Sequence, residues 1–123
     1  MLIGAKSNIQ WSIGVGGYKE ANYENATFYG ILTCISILTD GTNDVKIDIY
    51  NTGALSAKSA SKIIYSREVA AAVLGVFDNF QSPFFIDATV SDPGFSVEIT
   101  TEGEAGCGFA LGGANFAVSD ITE

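Results

Sequence analysis

The side chains in this chain that could move a proton or attack a carbonyl are carboxylates, lysines and hydroxyls, because it contains no histidine. Nucleophilic catalysis needs a base beside the attacking Ser, Cys or Thr, so neither a Ser-His-Asp nor a Cys-His site can be assembled within the chain. A lysine-based variant would set Lys58 or Lys62 beside Ser59 or Ser61. The run from Ser56 to Lys62 reads better as a polar loop. Glycoside hydrolysis needs only two carboxylates flanking a cleft. Glu98, Glu102 and Glu104 lie close together, with Asp87 expected on the partner strand. A small sandwich leaves little room for a substrate cleft, and solvated edge carboxylates are the preferred reading. Asp40-Gly41-Thr42-Asn43-Asp44 could offer oxygens to calcium, but its glycine stands too early for a calcium loop, and a hairpin tip is expected. Gly14-Val15-Gly16-Gly17 lacks the spacing and following helix of a phosphate loop. No Cys or His cluster has zinc spacing. The expectation is a protein without catalytic residues, cofactor or metal.

Charge narrows the partners. Six basic against fourteen acidic residues leave a net charge of −8. Such a surface repels phosphate backbones and anionic membranes, and the basic residues are scattered rather than striped, so neither nucleic acid nor membrane is expected as a partner. Cys34 and Cys107 both sit in apolar or Gly-rich strand contexts, where buried free thiols are favoured over a disulfide. The start of the chain shows no basic n-region and no apolar run of signal length, and no segment approaches the ~18 apolar residues of a span.

Aromatic residues are the remaining candidates for recognition. Trp11, Tyr18, Tyr23, Phe28 and Tyr29 crowd the first third, and Phe77, Phe80, Phe84 and Phe85 crowd a later segment. Most such rings must be core in a domain this small. Trp11, Tyr18 and Tyr23, in and after an N-terminal strand, are the candidate interface residues.

These residues must be positioned by strands. A chain of 12.9 kDa exposes about 6,300 Å² when folded against about 18,700 Å² extended, enough for one domain with its own core. Residues 8–15 alternate cleanly around Ile9, Trp11, Ile13 and Val15, and Gly16–Tyr23 has no period. Residues 1–26 therefore read as an N-terminal strand and irregular arm able to reach a neighbour, and 27–123 as the sandwich core. Tyr29–Tyr50 reads as one long hairpin, with Tyr29, Ile31, Thr33, Ile35 and Ile37 on one face and a turn at Thr39–Asn43. Residues 62–65 make a short strand, and Val69–Leu74 a short extended or single-turn segment. Phe84–Val90 and Phe95–Thr101 read as a second hairpin around Ser91-Asp92-Pro93-Gly94. Gly106–Leu111 and Asn115–Val118 read as a last pair joined by Gly112-Gly113. Seven or eight short antiparallel strands predict an all-β, single β-sandwich of jelly-roll type.

The order YGILTCISILTDGTNDVKIDIYNTGA, then GVFDNFQSPFFIDATVSD, then FSVEIT resembles the small β-sandwich virion proteins of tailed bacteriophages, including head decoration and cement proteins. The likeness covers residues 27–101 and rests on strand order and turn chemistry. The Ala-rich run Glu68–Leu74 and the Gly-rich end Gly103–Gly113 depart from it. It implies a non-enzymatic virion protein that binds the major capsid protein or another virion protein, made in the host cytoplasm. Apolar content of 47% and the aromatic link further suggest a homotrimer. A carbohydrate-binding sandwich, or a tail- or fibre-associated virion protein, is the alternative.

Overall fold

Alternation of β-branched and polar residues, with hardly a helix-favouring run, makes strands the main regular structure of the described residues. The computed structural model describes residues 5–15, 20–87, 91–101 and 107–116, with side chains for 23–87, 91–101 and 107–114. Its strands are β1 (Ala5–Val15), β2 (Glu20–Asn25), β3 (Gly30–Thr39), β4 (Val45–Tyr50), β5 (Ile63–Val69), β6 (Gly75–Ile86), β7 (Phe95–Thr101) and β8 (Cys107–Phe116). Two short 3-10 turns, Leu55–Ala57 and Ala60–Lys62, interrupt the β4–β5 connection.

The pairs β1–β8, β2–β7, β3–β6 and β4–β5 are all antiparallel. They nest like one long doubled ribbon whose tip is the β4–β5 connection. Folding this ribbon over brings β3 against β8 and β4 against β7. The result is two four-stranded sheets, β1-β8-β3-β6 and β2-β7-β4-β5, which is the strand order of a jelly roll. Leu32, Ile35 and Ile37 from the first sheet meet Val45, Ile47, Ile49, Phe95 and Val97 from the second in one buried cluster. The expected all-β sandwich is present.

The expected pairings differ. Tyr29–Tyr50 is not a hairpin, because β3 and β4 lie in different sheets. The turn between them has the foreseen chemistry, with Gly41 at φ 78°, but its hydrogen bonds go elsewhere. Thr39 N donates to Leu74 O at 2.9 Å and Ala72 N donates to Gly41 O at 2.9 Å. The β3–β4 crossover is thus pinned to the β5–β6 crossover at the same end of the sandwich. Likewise β6 and β7 lie in different sheets, so Ser91–Gly94 is a crossover despite Gly94 at φ 95°. Among the described strands, the one consecutive pair that bonds, β4–β5, is joined by a long connection carrying the two 3-10 turns rather than by a tight turn.

Two further differences come from one irregularity in β3. Leu32 pairs with Gly113 and Cys34 with Gly112, leaving Thr33 as an extra residue. Such a bulge reverses which face later residues occupy. Leu32, Ile35 and Ile37 are therefore buried, whereas Ile31 and Thr33 of the expected face are only half-buried. Opposite the bulge β6 has its own excursion, with Phe80–Pro83 unpaired between Asn79 and Phe84. Pro83 has no N–H to give and fits this gap on an edge strand. Gly112-Gly113 is no turn but the middle of β8. A Cβ on Gly112 would lie 2.5 Å from the Cys34 sulfur, and one on Gly113 2.2 Å from the Ile31 carbonyl oxygen.

The N-terminal segment also differs from an irregular arm. β1 pairs with β8 from Ala5 to Val15, and Glu20–Asn25 pairs with β7. Residues 16–19 lie outside the described residues. Val69 closes β5, and the turn that follows holds Ala72 at φ 75°.

Candidate interaction surface

Alternation gives each sheet a buried and an outward face, and the two outward faces differ in kind. In the first sheet, Phe109 and Leu111 of β8 are buried, so Gly108, Ala110, Gly112 and Ala114 alternate to the other side. Register sets Leu38 between Gly75 and Gly108, and Ser36 between Phe77 and Ala110. Ile31 stands between Phe85 and Ala114. None of these outward residues carries a charge. Leu38 is 64% exposed, Phe77 61% and Phe85 51%, values that mark large apolar side chains left in water. Phe85 rests edge-on against Tyr29 with centroids 5.6 Å apart. At the crossover end, Leu74 is also 64% exposed and Val73 40%.

The second sheet turns charge outward. Buried Val45, Ile47 and Ile49 place Lys46, Asp48 and Tyr50 on the other side of β4, where Lys46 is exposed and Asp48 and Tyr50 are covered. Register sets Asp48 beside Glu98 and Lys46 beside Glu68. The adjacent carboxylates are held apart by donors. Lys58 Nζ lies 2.6 Å from Glu98, Ser66 Oγ donates to Asp48 at 2.5 Å, and Lys46 Nζ lies 3.9 Å from Asp48. Tyr50 also bonds Glu98, and its hydroxyl is pushed up, first by burial and then by the charges of Asp48 and Glu98. The Leu55 N–H donates to Glu24 at 2.6 Å, tying the β4–β5 connection over this face. Ser96 Oγ beneath has no protein hydrogen-bond partner.

Between the edge strands β5 and β6 the sandwich is closed by a polar clip. Tyr65 donates its hydroxyl to Asp78, and Arg67 reaches the same carboxylate at 3.1 and 3.3 Å. Burial, then the bond to Asp78, pushes the Tyr65 hydroxyl well above its usual range. Phe80 stacks between Tyr65 and Phe84, with centroids at 5.2 and 4.9 Å. Two rings of the aromatic segment thus seal the side of the core, while Phe77 and Phe85 face outward.

The candidate residues scatter. Tyr23 is half-buried on the core, its ring 5.9 Å from Phe95 and 6.1 Å from Phe109. Trp11 is the register partner of Leu111 in β1, and its side chain lies outside the described residues, as does Tyr18. Asp87 follows β6 in the first sheet and Glu98 lies in the second, so they are not on partner strands. Glu102 and Glu104 lie outside the described residues. Lys58 engages Glu98 and Lys62 donates to the Ala57 carbonyl at 3.1 Å, while Ser59 and Ser61 bond each other at 3.0 Å. Asp40 and Asp44 accept from the backbone N–H of Thr42 and Ala71, as loop caps do. Among the described residues no metal-binding group of three His, Cys, Asp or Glu is found. Cys34 and Cys107 are free thiols, and burial pushes Cys107 up. A depression of about 170 Å³ beside Asp44, Lys46 and Glu68 is below the ~300 Å³ at which small-molecule pockets begin.

No protein-family model matches the chain, and no curated protein matches it. The outward residues Leu38, Phe77 and Phe85 were missed as a group by sequence reasoning. The signal for Phe77 and Phe85 was the aromatic crowding of residues 77–85, and Leu38 had none.

Proposed function

We propose that this chain is a non-enzymatic structural protein of a bacteriophage virion, a decoration or cement protein held on the capsid shell. The observation that carries this reading is the two-sidedness of the sandwich, with one outward face apolar and uncharged and the other charged. A subunit of an assembly needs such a division, because contiguous apolar surface on a soluble chain marks a contact site. Jelly rolls also serve in capsids and in lectins, an analogy at the level of fold that supports the particle reading together with the likeness of residues 27–101 to virion sandwiches.

The test mixes the purified chain with virions of the phage that encodes it and with a glycan array. Co-sedimentation with heads, with no glycan bound, is expected. Glycan binding without particle binding replaces the reading with a carbohydrate-binding module. Gold label found on tails moves the chain from shell to tail.

A further inference from the structure

We propose that the outward face of the β1-β8-β3-β6 sheet is a homodimer contact, covered by the same face of a second copy of this chain. Charge favours this occupant. A chain of net charge −8 repels its own copies wherever acidic residues meet. Pairing through the uncharged face puts the two charged sheets on the far sides of the dimer. With sheets about 10 Å apart within each sandwich and across the contact, the charged faces are about 30 Å from each other. That is several times the ~8 Å Debye length at physiological salt, so their repulsion is screened.

Shape favours it too. Each outward row carries large side chains beside small ones: Leu38 lies between Gly75 and Gly108, and Phe77 lies two strands from Ala110. Register continues uncharged residue types into β1, where Ser12 pairs with Ala110 and Gly14 with Gly108. A two-fold axis along the strands between β8 and β3 carries β3 over the partner's β8. Leu38 of one copy then meets a row of glycine and alanine in the other. Four strands of about ten residues span roughly 600 Å², and side-chain relief raises this toward the ~800 Å² per partner of a standard interface. One flat patch meeting itself is isologous and closes as a dimer, whereas the homotrimer expected from sequence needs two different patches.

This inference shares with the proposed function only the premise that the face is a contact, and its test uses the purified chain without particles, so either can fail alone. Sedimentation equilibrium of the wild type is expected to give twice the 12.9 kDa chain mass, with a dissociation constant that barely changes with salt. Leu38→Lys and Phe77→Lys each weaken the dimer about tenfold or more, while Thr100→Lys and Glu68→Lys on the other sheet leave it intact. Hydroxyl-radical footprinting of the wild type keeps the test independent of variant folding. Phe77 and Phe85 become protected as concentration rises. A wild type that stays monomeric, a dimer indifferent to both lysines, a dimer that tightens steeply with salt, or unchanged oxidation of Phe77 and Phe85 overturns the proposal.

Discussion

The two sheets are built from the same kind of strand and bury the same kind of residue, yet their outward faces have opposite characters. Around β8 and β3 the outward positions hold Gly, Ala, Ser and Cys, with Leu38, Phe77 and Phe85 standing above them. Around β7 and β4 they hold Lys46, Asp48, Glu98 and Tyr50, knitted by Lys58, Ser66 and Glu24. Small residues serve the first sheet twice. They admit the close approach of β8 to the β3 bulge, and they leave a flat apolar surface. In the second sheet the outward charges hold down a long connection. Fold requirements and surface chemistry are therefore joined in both sheets, through close backbone approach in the first and through polar ties to a connection in the second.

Removing residues 1–16 tests the first sheet most severely. It deletes β1 and uncovers the β8 edge, and the expected outcome is loss of cooperative thermal unfolding together with aggregation. A truncated chain that folds normally would restore the detachable arm. Gly113→Ala is next. Its methyl group would meet the Ile31 carbonyl at 2.2 Å, and a loss of about 3 kcal/mol in denaturant unfolding is expected. Thr100→Ala, exposed on the second sheet, should stay within about 0.5 kcal/mol. If the two losses are alike, the claimed asymmetry in packing is wrong.

Asp78→Ala breaks the clip that joins the sheets, leaving Tyr65 and Arg67 without their acceptor. Asp78 is 26% and Arg67 43% exposed by side chain, so solvent replaces part of the loss and about 1–2 kcal/mol is expected in the same assay. The clip also predicts a pH dependence. Tyr65 holds its proton more tightly folded than unfolded, where the ordinary value is 10.0. Its contribution is complete below pH 10.0 and is lost as pH climbs through the raised folded value. The melting temperature should fall on that alkaline limb and fall less steeply in Tyr65→Phe, although the variant starts lower at neutral pH. The smallest effect belongs to the charged face. Lys58→Ala removes a partner from Glu98, but Lys58 is 41% exposed, and less than about 1 kcal/mol should be lost, shrinking further in salt.

Alternation and turn chemistry made the strands and the sandwich class legible from the amino acids alone. The β-branched runs of β3, β4 and β7, the positive φ at Gly41 and Gly94, and the free, strand-borne cysteines were all readable, because each depends on a residue and its immediate neighbours. Pairing was not readable. A Thr-Asp-Gly turn between two alternating runs suits a hairpin and a sheet crossover equally, and only the second sheet and the Ala70–Leu74 loop decide for the crossover. Faces were not readable either. The extra residue at Thr33 reverses the parity of β3, and nothing local to Thr33 signals it, since the bulge is stabilised by glycines some eighty residues away in β8. The aromatic candidates divided for the same reason. Tyr23, Phe80 and Phe84 pack on the core while Phe77 and Phe85 stand in water, a choice made by where each strand lies in the two sheets rather than by ring chemistry. The sequence by itself determined that strands form, that turns fall at Gly41 and Gly94 and that the chain is acidic. Tertiary structure alone decided which strands meet and which apolar residues remain outside, because both depend on contacts between residues far apart in the chain.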